Sequence, residues 1–200
     1  MTRPADDLLL AYRGTAYFLR WLSLLSDGDY DRPGAADATE SRRLTISRVG
    51  YEARGFARLA EHTRLIAEAR AAGTAPYAEN SDSGERLFLD AARTADSPAG
   101  LLEERELGAT LPARALRYLV EHSAVQLSVE WRDLPDGLWD ATGFDENGAE
   151  LTPAASVWLR ARRVWTAAVE LGNGASWSDF PPGLADRITA DRELAAVQEH

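Results

Sequence analysis

The chain of 200 residues has no cysteine. That excludes disulfides, thiolate zinc sites and a cysteine nucleophile. It has no lysine either: all 22 basic residues are arginine, which with the abundant alanine and glycine reflects high-GC coding rather than chemistry. Positive charge is scarce overall, the formal net charge being −10 and the isoelectric point near 4.8. A nucleic-acid surface needs a basic patch, and none is present. No apolar run is long enough to span a bilayer, and the N-terminus, MTRPADDLLLAYRG, lacks a basic segment followed by an apolar one. The expectation is a cytoplasmic protein with no membrane and no nucleic-acid partner. Gly-rich phosphate loops, a Walker pattern and a Ser-His-Asp order are also missing. The acidic string from Asp140 to Glu150 does not place oxygen ligands at the alternate positions that a calcium loop requires.

What remains is ordinary globular material, 45% hydrophobic, sized for one domain over residues 1–200 with no further C-terminal domain. Apolar residues recur at helical spacing in several stretches. The first runs from Ala5 to about Leu25, with Asp6 and Asp7 at its positive end. The second is expected to begin at Thr45 as N-cap and to stop at Gly73. A short helix is expected over 85–94, and Ser97-Pro98 opens another turn. A third long helix spans 112–133, with Leu116, Leu119, Val120, Ser123, Leu127 and Trp131 facing inward. Asn147-Gly148 predicts a tight turn in a short hairpin. Residues 153–174, PAASVWLRARRVWTAAVELGNG, form an amphipathic helix with Gly172 or Gly174 as its stop, and a fifth helix runs from Pro182 or Gly183 to about Gln198. Long helices with short connections and no alternating strand signals predict an all-α fold, a four-helix bundle with a small β-hairpin before the fourth helix and an extra C-terminal helix.

The segment 153–174 also resembles the last bundle helix of the mycothiol-dependent maleylpyruvate isomerases, a branch of the DinB/YfiT-like superfamily. The frame Arg162, Val164, Trp165, Ala168, Val169, Glu170 and Leu171 fits that helix. The run from Leu111 to Trp139 is similar to the family's third helix and following loop, and LTISRVGYEARGFARL to its second helix. The resemblance implies metal-ligand positions at residues 52, 163 and 167. Here these are Glu52, Arg163 and Ala167, with Arg48 at the position of a further family histidine. A functional arginine that the family carries after Ser-Pro falls on Leu101, or on Arg86 in another register.

Family geometry would bring residues 52, 163 and 167 together, so a carboxylate and a guanidinium are expected where the family holds a metal, with no metal bound here. They could pair in a bidentate, charge-assisted way, with Ala167 leaving room for the arginine. The same pair is either a strut in a retired site or a working one. In the working version Glu52 is general base or acid, and Arg163 and Arg48 bind a substrate carboxylate or a developing enolate. A neighbouring guanidinium favours the ionised carboxylate and hence the base role. Tyr51, Tyr17 and Trp158 complete the expected substrate-binding set with Ala167, although tyrosine and tryptophan on bundle helices commonly serve packing alone. His62, His122 and the terminal His200 do not rebuild a metal site.

These residues leave open a metal-independent enzyme of specialised metabolism that isomerises or cyclises a polar carboxylate- or carbonyl-bearing metabolite. They also leave open a mycothiol-dependent isomerase or transferase, and a non-catalytic bundle that binds a small molecule or a partner helix. No cofactor is expected beyond mycothiol, which the resemblance leaves open. The expected partner is a small-molecule substrate, and a homodimer is allowed.

Overall fold

A computed structural model describes residues 3–35, 38, 40–73, 105–144 and 150–198, of which 144 and 192–198 by backbone alone. Long helices dominate it. Helix α1, Ala5–Ser23, turns Leu8, Ala11, Gly14, Phe18 and Leu22 inward, and its first turn carries Asp6 and Asp7. Helix α2, Arg42–Ala71, starts one turn earlier than expected. Its N-cap is Ser41, whose side chain accepts a hydrogen bond from the Leu44 amide at 3.3 Å, while Thr45 lies buried inside the helix. A short helical stretch at 105–109 leads into α3, Ala113–Asp133, which buries Leu116, Val120, Ser123, Leu127 and Trp131. The expected helix at 85–94 and the Ser97-Pro98 turn lie outside the described residues.

Gly143–Phe144 and Glu150–Leu151 pair antiparallel as β1 and β2, the hairpin that the sequence predicts. Its turn residues lie outside the described set. Thr152 then caps α4, Pro153–Glu170, by accepting from the Ala155 amide at 3.1 Å, with Pro153 in the first turn, where its missing N–H costs nothing. Gly172, at φ 61°, ends that helix and sits against the backbone of Gly34 and Ala35, which leaves no room for a side chain. Helix α5, Leu184–Gln198, closes the chain.

The main packings are α2 against α3 and α1 against α4, joined by α2 against α4. Two apolar clusters fill the bundle. One contains Phe18, Ile46, Val49, Leu116, Val164 and Trp165. The other contains Leu8, Ala53, Phe56, Leu127, Trp131 and Val157. On α2 the clusters meet between Val49 and Ala53, and on α4 between Ala161 and Val164. A layer of charged side chains occupies that level.

Two devices fix α4. Arg42, buried at the start of α2, donates from Nε to the Leu171 carbonyl at 2.6 Å and from Nη2 to the Gly172 carbonyl at 3.1 Å, and its Nη1 reaches the Asp29 carbonyl at 2.9 Å. A cation at a helix C-terminus satisfies carbonyls that have no partner within the helix. On the other side Trp165 lies flat against α1, its indole N–H donating to the Leu10 carbonyl at 3.0 Å. Gly14 permits this approach: a β-carbon there would stand 2.5 Å from Trp165 Nε1 and 2.6 Å from Val164. Gly14→Ala should therefore lower stability by roughly 1–3 kcal/mol in chemical denaturation, because the helices must move apart. Gly28→Ala, where a β-carbon meets nothing within 4 Å, should stay within about 0.5 kcal/mol.

Candidate active site

Helical spacing builds the charged layer. Arg48 and Glu52 stand four apart on α2, and Arg160, Arg163, Ala167 and Glu170 follow one another at intervals of three and four on α4, so each set shares one face. The loop after α1 adds Glu40. It is held there because the Ala35 amide donates to the Glu170 carbonyl at 2.9 Å and because Gly34 lies directly against that carbonyl.

Glu52 is the centre. Its Oε1 accepts from Arg163 Nε at 3.3 Å, and its Oε2 lies 3.9 Å from Arg160 Nη1. The Arg163 contact thus uses one nitrogen where the sequence suggested a bidentate fork, because the second carboxylate oxygen is turned toward Arg160. Arg160 in turn donates from Nη1 to the Val49 carbonyl at 2.7 Å. Arg48 is engaged elsewhere, by Glu40 Oε1 at 2.6 Å and Glu170 Oε2 at 3.0 Å. The six side chains are formally neutral together.

Burial grades the site from inside to outside. The side chain of Arg160 is 1% exposed, that of Glu52 12% and that of Arg163 31%. Burial pushes the Arg160 guanidinium down to about 10, against the pull of Glu52. It therefore stays charged at neutral pH while carrying a desolvation cost. That cost is constant below about pH 10 and is relieved only as pH rises from there toward the ordinary arginine range, where the unfolded chain holds the extra proton. Arg163 is held above its ordinary value, chiefly by the Glu52 charge. Arg48 is lowered, by burial first and by the nearby Arg163 second. Several buried atoms of this layer lack a hydrogen-bond partner: Arg160 Nε and Nη2, Glu52 Oε2, Arg48 Nε and Glu40 Oε2.

The structure brings Glu52, Arg163, Arg48 and Ala167 to this layer. Tyr17 and Trp158 it sets apart. Trp158 precedes Arg163 by five residues, about 140° of helix rotation, and so faces the other way. Its indole N–H donates to Asp191 Oδ2 at 2.5 Å and Arg187 lies 3.4 Å above its ring, which pins α5 to the bundle. Tyr17 stacks on Trp165 at 4.7 Å and donates its hydroxyl to Asp179 Oδ2 at 2.7 Å. Burial, then Asp179, raises its pKa. Tyr51 is half-buried on the flank next to Glu52, with Arg54 over its ring at 5.6 Å and the 105–109 stretch beside it at Gly108. His122 stacks on exposed Tyr118, 5.4 Å between centroids. Sequence reasoning missed Arg160, Glu40 and Glu170 as members. The signal for Arg160 was available: it precedes Arg163 by one helical turn within an otherwise apolar stripe.

Solved structures of the mycothiol-dependent maleylpyruvate isomerase, one native and one a histidine-to-alanine mutant, match this chain with a TM-score of 0.68 and 28% identity over 89% of its length. The fold is that of the maleylpyruvate isomerases. This chain spans 64% of the length of those isomerase chains. No protein-family model and no curated protein sequence matches it. The likeness supports kinship with an isomerase family, and the resemblance seen in the sequence assigns a divalent metal to positions 52, 163 and 167. The side chains at those positions are a carboxylate, a guanidinium and a methyl group. A protonated guanidinium has no lone pair to give, so this donor set does not fit a divalent cation. Among the described residues no group of three or more His, Cys, Asp and Glu side chains is placed to hold a metal ion, and no helix is long and apolar enough to cross a membrane.

Glu52→Gln should destabilise the fold by roughly 3–5 kcal/mol in denaturant titration, because it leaves the buried Arg160 without its counter-charge. A loss below about 1 kcal/mol would place Glu52 in solvent-like surroundings.

Proposed function

We propose that the chain is a metal-independent acid–base enzyme of the maleylpyruvate-isomerase type that isomerises or cyclises a polar, carbonyl- or carboxylate-bearing small molecule. The observation that carries this reading is a carboxylate, Glu52, braced by two guanidiniums of which one, Arg163, is about a third exposed. Oε2, the carboxylate oxygen without a hydrogen-bond partner, is the one left to accept a substrate proton. Arg163 is the group that meets an incoming anion. It can exchange Glu52 for a substrate carboxylate at little electrostatic cost, since one negative partner replaces another. Arg48, already engaged by Glu40 and Glu170, contributes its field rather than a contact.

In this reading the salt-linked Glu52 and Arg163 replace the cation of the related isomerases. The position of a metal–thiol centre becomes a proton-transfer centre, housed in the cytoplasm and served by no bound cofactor. The outward reach of Arg163 also favours an occupied, working site over a strut sealed inside a purely binding bundle.

A second reading keeps the thiol. The solved relatives are mycothiol-dependent by name, and Arg163 could hold a bound thiol as its thiolate. One assay separates the two. Turnover of maleylpyruvate, followed by its change in ultraviolet absorbance, should persist after treatment with chelator and without added mycothiol. Glu52→Gln and Arg163→Met should each reduce it by roughly 100-fold or more. Full turnover in either variant would refute the acid–base reading, and strict dependence on mycothiol would transfer the reaction to the thiol.

A further inference from the structure

The large apolar side chains that the described structure leaves exposed fall mostly on two helices. Leu9 and Tyr12 lie on α1 with Leu24 just past its end, and Tyr118, Val125 and Val129 lie on α3. Two others, Leu107 and Trp177, lie in connections, while α2 and α4, which carry the charged layer, have none among their described residues. Tyr118 and Val125 are each 64% exposed, and their helical spacing with Val129 puts all three on the side of α3 away from its buried stripe. Such a one-sided apolar face marks a contact surface.

Two contacts set the heights along this face. Tyr12 meets the edge of Trp131, 6.3 Å between ring centroids, and Arg117 Nη2 donates to the Leu25 carbonyl at 3.1 Å. The two helices therefore run antiparallel, with residue 12 level with 131 and residue 25 level with 117. Counting along both helices from these points, Leu24 is level with Tyr118, Ala16 with Val125 and Tyr12 with Val129, each to within about two residues or 3 Å of rise. Arg20 is level with Glu121 on the same count. Apolar and charged residues thus fall in matching bands on the two helices. Arg13 and Arg20, both exposed on α1, and Glu121, exposed on α3, have no ion-pair partner among the described residues.

We infer that this face binds a second copy of the chain, with α1 of one protomer lying antiparallel on α3 of its partner. A twofold axis running along the bundle, between the two copies, keeps every residue at its own height and exchanges the two helices. Leu24 then meets Tyr118 of the other copy, Ala16 meets Val125 and Tyr12 meets Val129. Arg20 meets Glu121, twice by symmetry. Laying α1 on its own copy brings arginine against arginine, so charge selects the α1-on-α3 arrangement. Two helices, each roughly 30 Å long and 10 Å wide, offer about 600 Å² per copy, the lower end of the range for stable interfaces. Either helix alone offers half of that. The contact leaves α2 and α4, with the exposed end of Arg163, outside the interface.

Sedimentation equilibrium of the full chain tests the pairing. The native protein should reach twice its 21.9 kDa at concentrations up to about 100 μM. Val125→Glu should raise the dimer Kd by roughly 30-fold or more, with an unchanged helical circular-dichroism spectrum. Arg20→Glu and Glu121→Arg should each weaken the dimer about tenfold, and the two together should restore it. The absence of cysteine allows a second reading by cross-linking. A mixture of Leu24→Cys and Tyr118→Cys chains should form a disulfide-linked pair on mild oxidation, and neither variant alone should, because only the mixed positions come within disulfide reach. A native chain that stays monomeric would overturn the self-association and leave the face to another protein. A dimer indifferent to Val125→Glu would place the interface elsewhere. Cross-linking in Leu24→Cys alone, or no recovery in the charge swap, would refute the α1-on-α3 arrangement.

Discussion

A carboxylate caught between two guanidiniums, one sealed in the bundle and one reaching solvent, sets the terms for everything around it. Arg160 cannot be buried without Glu52, because an unpaired charge in that environment costs several kcal/mol. Glu52 cannot keep its position without Arg160 and Arg163, which draw its two oxygens in different directions. The second group of charges, Arg48 with Glu40 and Glu170, is one negative charge in excess and offsets the one positive charge in excess on Glu52 with Arg160 and Arg163. The arrangement is a poor choice for stability alone. Apolar residues of similar volume commonly stabilise a core as well or better, and the proposed acid–base role would account for a charged layer that leaves several buried polar atoms unpartnered.

The bundle supplies rigidity at the places that matter for this layer. Arg42 fastens the end of α4 to the start of α2 through carbonyls of Leu171, Gly172 and Asp29. That clamp fixes the register between the helix bearing Glu52 and the helix bearing Arg160 and Arg163. The loop through Gly34 and Ala35 closes over the same helix end and carries Glu40 into reach of Arg48. On the far side Trp165, seated against Gly14, holds α4 to α1. The aromatic residues thus work as mortar behind the site, and the site itself is made of arginine and glutamate.

Much of this was legible in the sequence. Apolar periodicity gave α1, α3 and α4 nearly to the residue, since each has a clean stripe and a recognisable end such as Thr152-Pro153 or Gly172. The start of α2 lies earlier than apolar spacing predicts because Ser41 is followed by two arginines, which hide the cap, although Arg42 is buried. The meeting of Glu52 with Arg163 was legible only through family likeness, since nothing in the spacing of two distant helices fixes their relative rotation. Arg160 is hard to single out from sequence because arginine on a helix is usually solvated. For Trp158, helical spacing shows which residues share its face and does not show which partner that face meets: α5 supplies Asp191 and Arg187 there.

The most direct test of the charge layer is a double-mutant cycle on Glu52→Gln and Arg160→Met, read as unfolding free energy in denaturant. If the two groups sustain each other, the double variant should be more stable than the sum of the single losses predicts, with a coupling of roughly 1–3 kcal/mol. Strict additivity would mean that Glu52 and Arg160 do not interact, and the account of the site built on their pairing would fail.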